Sequence, residues 1–130
     1  MCVEMGTTAA AIFNQQTNAW YFTRGSATIE VFLSMYETPQ KTQRTFIRCF
    51  APLIAIPVDA ANKLDLYQGA LEANARYMGM KISSLIDKGL LCAIAERDIE
   101  GMEYQEMVTL IVDVGYWADE LDDFLRKQFG

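Results

Sequence analysis

Hydrophobic and polar positions change their period twice along this chain. In residues 26–36, Ala27, Ile29, Val31, Leu33 and Met35 fall on one side, with Thr28, Glu30, Phe32, Ser34 and Tyr36 on the other. The first side is uniformly apolar and the second is mixed, the pattern of a half-buried antiparallel strand. Upstream, the aromatic run 19–23 predicts a strand. Arg24-Gly25 predicts a tight turn between the two, because Gly accepts positive φ. Residues 43–56 predict a third strand, in which Phe46, Arg48 and Phe50 alternate with Thr45, Ile47 and Cys49. Pro52 cannot donate to a ladder, so a bulge, bend or edge is expected there. Residues 7–13 are apolar and fit a short strand or a helix remnant, and 14–18 read as a polar turn.

After Pro57 the period lengthens. Asp59 is a fair N-cap. Ala60, Leu64, Tyr67, Leu71, Asn74, Ala75 and Met78 lie along one helical stripe. Gly79 sits where a C-terminal cap glycine belongs. Gly69, inside this helix, is unfavourable by about 1 kcal/mol relative to Ala, and close packing on a sheet is the expected reason. Asn74 on the apolar stripe is expected to hydrogen-bond a nearby loop or strand end rather than to bind a partner. Residues 80–86 and 90–95 predict a hairpin around Asp87-Lys88-Gly89, and 97–101 a polar connection. From about residue 102 helical spacing returns. Met107, Leu110, Ile111, Val114, Ala118, Leu121 and Leu125 form its apolar stripe, and Arg126 and Lys127 suit the negative end of the helix dipole. The expected architecture is α+β: an antiparallel sheet with helices packed on it, order β-β-β-α-β-β-α.

The length, 130 residues, suits one domain over 1–130. Half the residues are apolar, enough for a core without disulfides. The formal net charge is −6 and the Lys and Arg residues form no basic cluster, which argues against nucleic acid as a partner. The N-terminus has no basic segment leading into an apolar core, and residues 49–58 are too short an apolar run to cross a bilayer. A cytoplasmic protein with no membrane partner is expected. Cys2, Cys49 and Cys92 are odd in number and widely spaced, against a disulfide framework or zinc site; Cys49 and Cys92 are expected as buried thiols.

The chain has no histidine, which removes the commonest general base and the commonest metal ligand. It has neither a glycine-rich phosphate loop nor a Cys-x-x-Cys pair. Asp119, Glu120, Asp122 and Asp123 are neighbours on the last helix, but carboxylates on an amphipathic helix are expected to be a solvated face. No catalytic residue, cofactor site or metal site is assigned.

The aromatic residues carry more information. If the Ala27–Met35 side of its strand faces the helices, Phe32 and Tyr36 face the other way, and Phe46 and Phe50 share one face of the next strand. A second apolar sheet face then needs covering, by a helix, a twin subunit or a segment of another chain. Phe32, Tyr36, Phe46 and Phe50 are the candidate partner-binding residues.

Several of these residues also carry a resemblance. Leu64, Tyr67, Leu71 and Asn74, then Gly79, Gly89-Leu90-Leu91, and Ala118-Asp119 with Leu121 and Leu125 make the region 19–129 resemble the YbjN family and the related class I type III secretion chaperones. The resemblance implies a small, acidic, bacterial cytoplasmic protein, usually a homodimer. It further implies either a client segment held extended on apolar patches without nucleotide, or a regulatory role. Those families open with a helix before the first strand, whereas residues 7–13 here look β-like or irregular.

The expected function is therefore a non-enzymatic protein-binding module, chaperone-like and dimeric. A small ligand-binding or enzymatic α+β domain and a permanent subunit of a larger complex stay open as alternatives.

Overall fold

The computed structural model describes residues 12–25, 27–76 and 79–129. Expectations for residues 7–11, Cys2 and Met78 lie outside them. The elements run β1 (Phe13–Asn14), β2 (Ala19–Arg24), β3 (Ala27–Glu37), β4 (Gln43–Ala55), α1 (Ala60–Arg76), β5 (Lys81–Leu85), β6 (Leu90–Asp98) and α2 (Tyr104–Phe129). All strand pairs are antiparallel in one sheet, order β1-β2-β3-β4-β6-β5. The expected α+β class and element order hold, with one addition. The two-residue strand β1 pairs Phe13 with Trp20 ahead of the turn predicted at 14–18, so four described strands precede α1.

Strand register decides which side chains share a face. Phe22 lies opposite Ile29, Val31 opposite Cys49, Cys49 opposite Ala95, and Ala93 opposite both Ala51 and Ile82. All of these are buried, and with Ile111, Val114, Ala118, Leu121 and Leu125 of α2 and Leu66 and Ala70 of α1 they form the core. Both described helices thus pack on this one face. The expected bulge falls after Pro52, where the β4–β6 register shifts before Ala55. The irregularity turns two consecutive residues, Leu53 and Ile54, out of solvent together.

Caps and turns follow local chemistry. The Asp59 carboxylate accepts from the Asn62 backbone N–H at 3.0 Å, the N-cap bond expected of it. Gly25 (φ +59°) turns β2 into β3, and Gly89 (φ +66°) closes the β5–β6 hairpin.

Four expectations need correcting. The buried side of α1 is Leu66 and Ala70, with Ala73 and Tyr67 half-buried, while Leu64 and Leu71 are 67% and 70% exposed. The stripe read from their spacing is split: Tyr67 and Asn74 lie against β5, while Leu64 and Leu71 face outward. Second, Gly69 is not a close-packing glycine, since an added Cβ there would meet nothing within 4 Å. Gly115 is: its Cβ would stand 2.6 Å from Ile29 Cδ1, so its absence lets α2 press onto the sheet. Third, residues 96–98 are strand, because Phe46, Ile47 and Arg48 of β4 pair with Asp98, Arg97 and Glu96. Fourth, the acidic cluster of α2 is not all solvated face. Asp122 is buried and accepts from Arg126 Nε at 3.0 Å. Asp119 packs its carboxylate against the Gly25 turn, where an added Cβ would lie 2.6 Å from its Cγ. Glu120 and Asp123 are exposed.

Asn74 does what its position on α1 suggested. Its side-chain amide donates to the Ile82 carbonyl at 3.1 Å and accepts from the Ile82 N–H at 2.6 Å. One side chain so satisfies both backbone groups of an edge-strand residue, tying α1 to β5 and blocking the sheet edge there.

Candidate binding face

The opposite face of the sheet is built by the alternate residues. Glu30 lies across from Phe50, Phe32 from Arg48, Ser34 from Phe46 and Tyr36 from Arg44. On the far side of β4, Phe46, Arg48 and Phe50 face Asp98, Glu96 and Ile94 of β6. Directly opposed residues share a face, so Phe32, Tyr36, Phe46 and Phe50, the four residues singled out by the sequence pattern, stand together on the side away from α1 and α2.

They form two aromatic pairs. Phe32 and Phe50 meet edge-on with ring centroids 5.2 Å apart, and Tyr36 and Phe46 likewise at 6.1 Å. Arg48 joins the first pair. Its guanidinium carbon lies 4.7 Å from the Phe50 centroid and 5.8 Å from that of Phe32. Phe32, Phe46 and Phe50 are half-buried, and Tyr36 is exposed. On the strands that flank β3 and β4, Ala19 of β2 and Cys92 and Ile94 of β6 are buried.

Ion pairs line the β4–β6 side. Arg44 Nε contacts Asp98 at 2.6 Å, Arg48 Nε contacts Glu96 at 2.7 Å, and Lys81 Nζ reaches the other Glu96 oxygen at 2.8 Å. Glu96 is held below the ordinary carboxylate range by its hydrogen bond from Lys81, with Arg48 adding to it. Asp98 is lowered first by the Glu100 backbone N–H and then by Arg44. On the β2 side, the Tyr21 hydroxyl donates to Glu30 at 2.9 Å. The resulting surface is an aromatic strip with fixed charges along its flank. It suits apolar side chains and backbone amides of a bound chain better than a free ion.

At the far end of the β3–β4 hairpin the opposite, helix-side face is open as well. β2 registers with β3 from Ala27 to Val31, and beyond that no described strand lies on this side of β3. There Leu33 is 53% and Met35 72% exposed. Both were expected inside. They do lie on the helix side of the strand, but beyond the stretch where Ala27, Ile29 and Val31 are buried. The sequence pattern did not single out Arg48 as part of the site, although Arg44-x-Phe46-x-Arg48-x-Phe50 carried the signal: cations alternating with aromatics on one strand face.

The two described thiols are of a different kind. Burial pushes Cys49 up to about 12 and Cys92 to about 11, so both stay protonated and unreactive at neutral pH. Among the described residues, no three His, Cys, Asp or Glu side chains converge to hold a metal ion, and no helix is long and apolar enough to cross a membrane. No protein-family model matches the chain, and no curated protein matches it.

Proposed function

We propose that this protein is a non-enzymatic binding module that holds an extended segment of a partner protein, in the manner of a small acidic secretion-chaperone-like or YbjN-like regulator. The observation that carries the reading is the half-exposed aromatic strip Phe32, Phe50, Phe46 and Tyr36 on the sheet face away from the helices. An extended segment alongside the last residues of β3 would find backbone groups to pair with there. Every second side chain of that segment would fall on the strip. Arg48 and the flanking ion pairs would fix its direction.

The working unit is a homodimer. Support comes from a second apolar surface, on the outward side of α1 and the neighbouring loops, where Val58, Leu64, Leu71 and Ile86 are all more than half exposed. Tyr67 and Leu71 open there onto a shallow pocket with Ile86. Side chains of this kind in one region favour a permanent apolar contact. The cytoplasm is the proposed compartment, in keeping with two unpaired buried thiols.

Two measurements test this. Molar mass by light scattering reads the dimer, and Leu64→Glu with Leu71→Glu should give a folded monomer. Binding of a chemically unfolded model protein, followed by fluorescence anisotropy, should be lost in Tyr36→Ser with Phe46→Ser while the far-UV spectrum is kept. Unchanged binding in that variant would refute the assignment of the site.

A further inference from the structure

We propose that the groove between α1 and α2, on the other side of the sheet from the aromatic strip, docks a cationic amphipathic helix of another protein. The groove encloses about 580 Å³. Its floor is apolar and low on the α1 side, where Gly69, Ala70 and Ala73 face it, and tall on the α2 side, where Trp117, Leu121 and Phe124 do. Phe124 is 59% exposed, a large aromatic with its ring in solvent beside an apolar trough.

Gly69 is the telling residue. A glycine in a helix interior is unfavourable by about 1 kcal/mol relative to Ala. Here the backbone is ordinary helix, and a Cβ would meet nothing within 4 Å. Neither backbone shape nor internal packing calls for glycine. Its missing side chain keeps the groove wide where the wall of α1 would otherwise project into it.

Charge selects the occupant. Asp65 and Glu72 on one wall and Glu120 on the other line the groove, against the single cation Arg76. Among the described residues none of these three carboxylates forms an ion pair. The rim is therefore net negative, on a chain that is itself acidic, and Lys or Arg flanking an apolar stripe would complement it. Geometry selects a helix over an extended strand. Both walls are helices, and the β5 edge beside them is closed at Ile82 by Asn74. An entering segment finds little backbone to pair with and must satisfy its own, as a helix does. From Asp65 to Arg76 the α1 wall runs about 16 Å, at about 1.5 Å per residue. That length accommodates three turns, with apolar anchors spaced i, i+4 and i+7.

The test uses a dye-labelled synthetic peptide of about 14 residues, helical in design, with Leu at the anchor positions and Lys on its flanks. A second peptide replaces every Lys by Glu. The cationic peptide should bind, weaken as salt is raised, and outcompete the acidic one by more than tenfold. Gly69→Leu fills the groove with a better helix former, so it should weaken binding by roughly tenfold while the protein melts no lower. Glu72→Lys with Glu120→Lys should abolish binding. Tyr36→Ser with Phe46→Ser should leave it intact, which separates this groove from the aromatic strip. Failure of the cationic peptide to bind, or equal binding to the wild type and to Gly69→Leu, would overturn the proposal.

Discussion

The Arg48 guanidinium carbon lies 4.7 Å from the centre of the Phe50 ring, while the Arg48 Nε donates to Glu96 at 2.7 Å. One cation on this face of the sheet is thus held by a carboxylate and set against an aromatic ring. Glu96 is itself shared, because Lys81 holds its second oxygen. The arrangement fixes Phe32 and Phe50 as a firm, half-buried platform at the centre of the proposed contact surface.

Replacing that cation tests the platform. Arg48→Met keeps most of the stem and loses the guanidinium, so stability should fall by about 1 kcal/mol, the scale of a partly exposed cation–aromatic contact. Urea unfolding reads the change. Binding of an extended segment should weaken more than stability does, because the segment meets the same surface.

The same group gives a pH dependence. The Glu96 carboxyl is lowered in the folded chain, first by Lys81 and then by Arg48. A carboxylate lowered by folding contributes stability above its unfolded pKa, about 4.3, and loses that contribution as pH falls through its folded value. Acid unfolding of Glu96→Gln should therefore be less steep below about pH 4.3, and at neutral pH the variant should be less stable than the parent. Parallel acid-unfolding curves would show that Glu96 makes no net contribution.

Asn74→Ala removes both bonds to the Ile82 backbone and leaves that strand residue unsatisfied. The expected loss is about 2 kcal/mol, with faster amide exchange at Ile82 than elsewhere in β5. Asn74→Asp should do harm as well, because a carboxylate cannot donate to the Ile82 carbonyl.

Asp122 and Asp123 adjoin in sequence and differ in fate. Asp122→Ala should destabilise by about 1–2 kcal/mol, since a buried, hydrogen-bonded carboxylate is lost, while Asp123→Ala should be within about 0.5 kcal/mol of the parent. Thermal melts of the two single variants decide it. Leu121→Asp, one position earlier, should cost several kcal/mol by placing a charge at a buried core position.

Much of this architecture was legible in the chain. Period-2 alternation placed Ile29 and Val31 inward and Phe32 and Tyr36 outward, and strand pairing then carried Phe46 and Phe50 to the same side. The stripe of α2 from Ile111 to Leu125 was legible because helical spacing and burial coincide there. On α1 they do not. Leu64 and Leu71 are spaced like core residues yet face outward, and the inward side is built from Leu66 and small alanines, which give a weak signal. Leu33 and Met35 show a second limit of periodicity: it assigns a side of the strand, while burial depends on how far the covering helix reaches. Asp119 and Asp122 were hidden for a third reason. Whether a helical carboxylate is solvated depends on which turn or strand lies opposite, and that is long-range information.

The role proposed for the aromatic strip is to receive an extended protein segment. Backbone amide chemical shifts of the isotope-labelled protein, titrated with a chemically unfolded model protein, test it most directly. Shifts concentrated at residues 30–37 and 44–50, and absent in Tyr36→Ser with Phe46→Ser, are the predicted result. Absence of binding, or shifts centred away from β3 and β4 and unaltered by the double substitution, would contradict it.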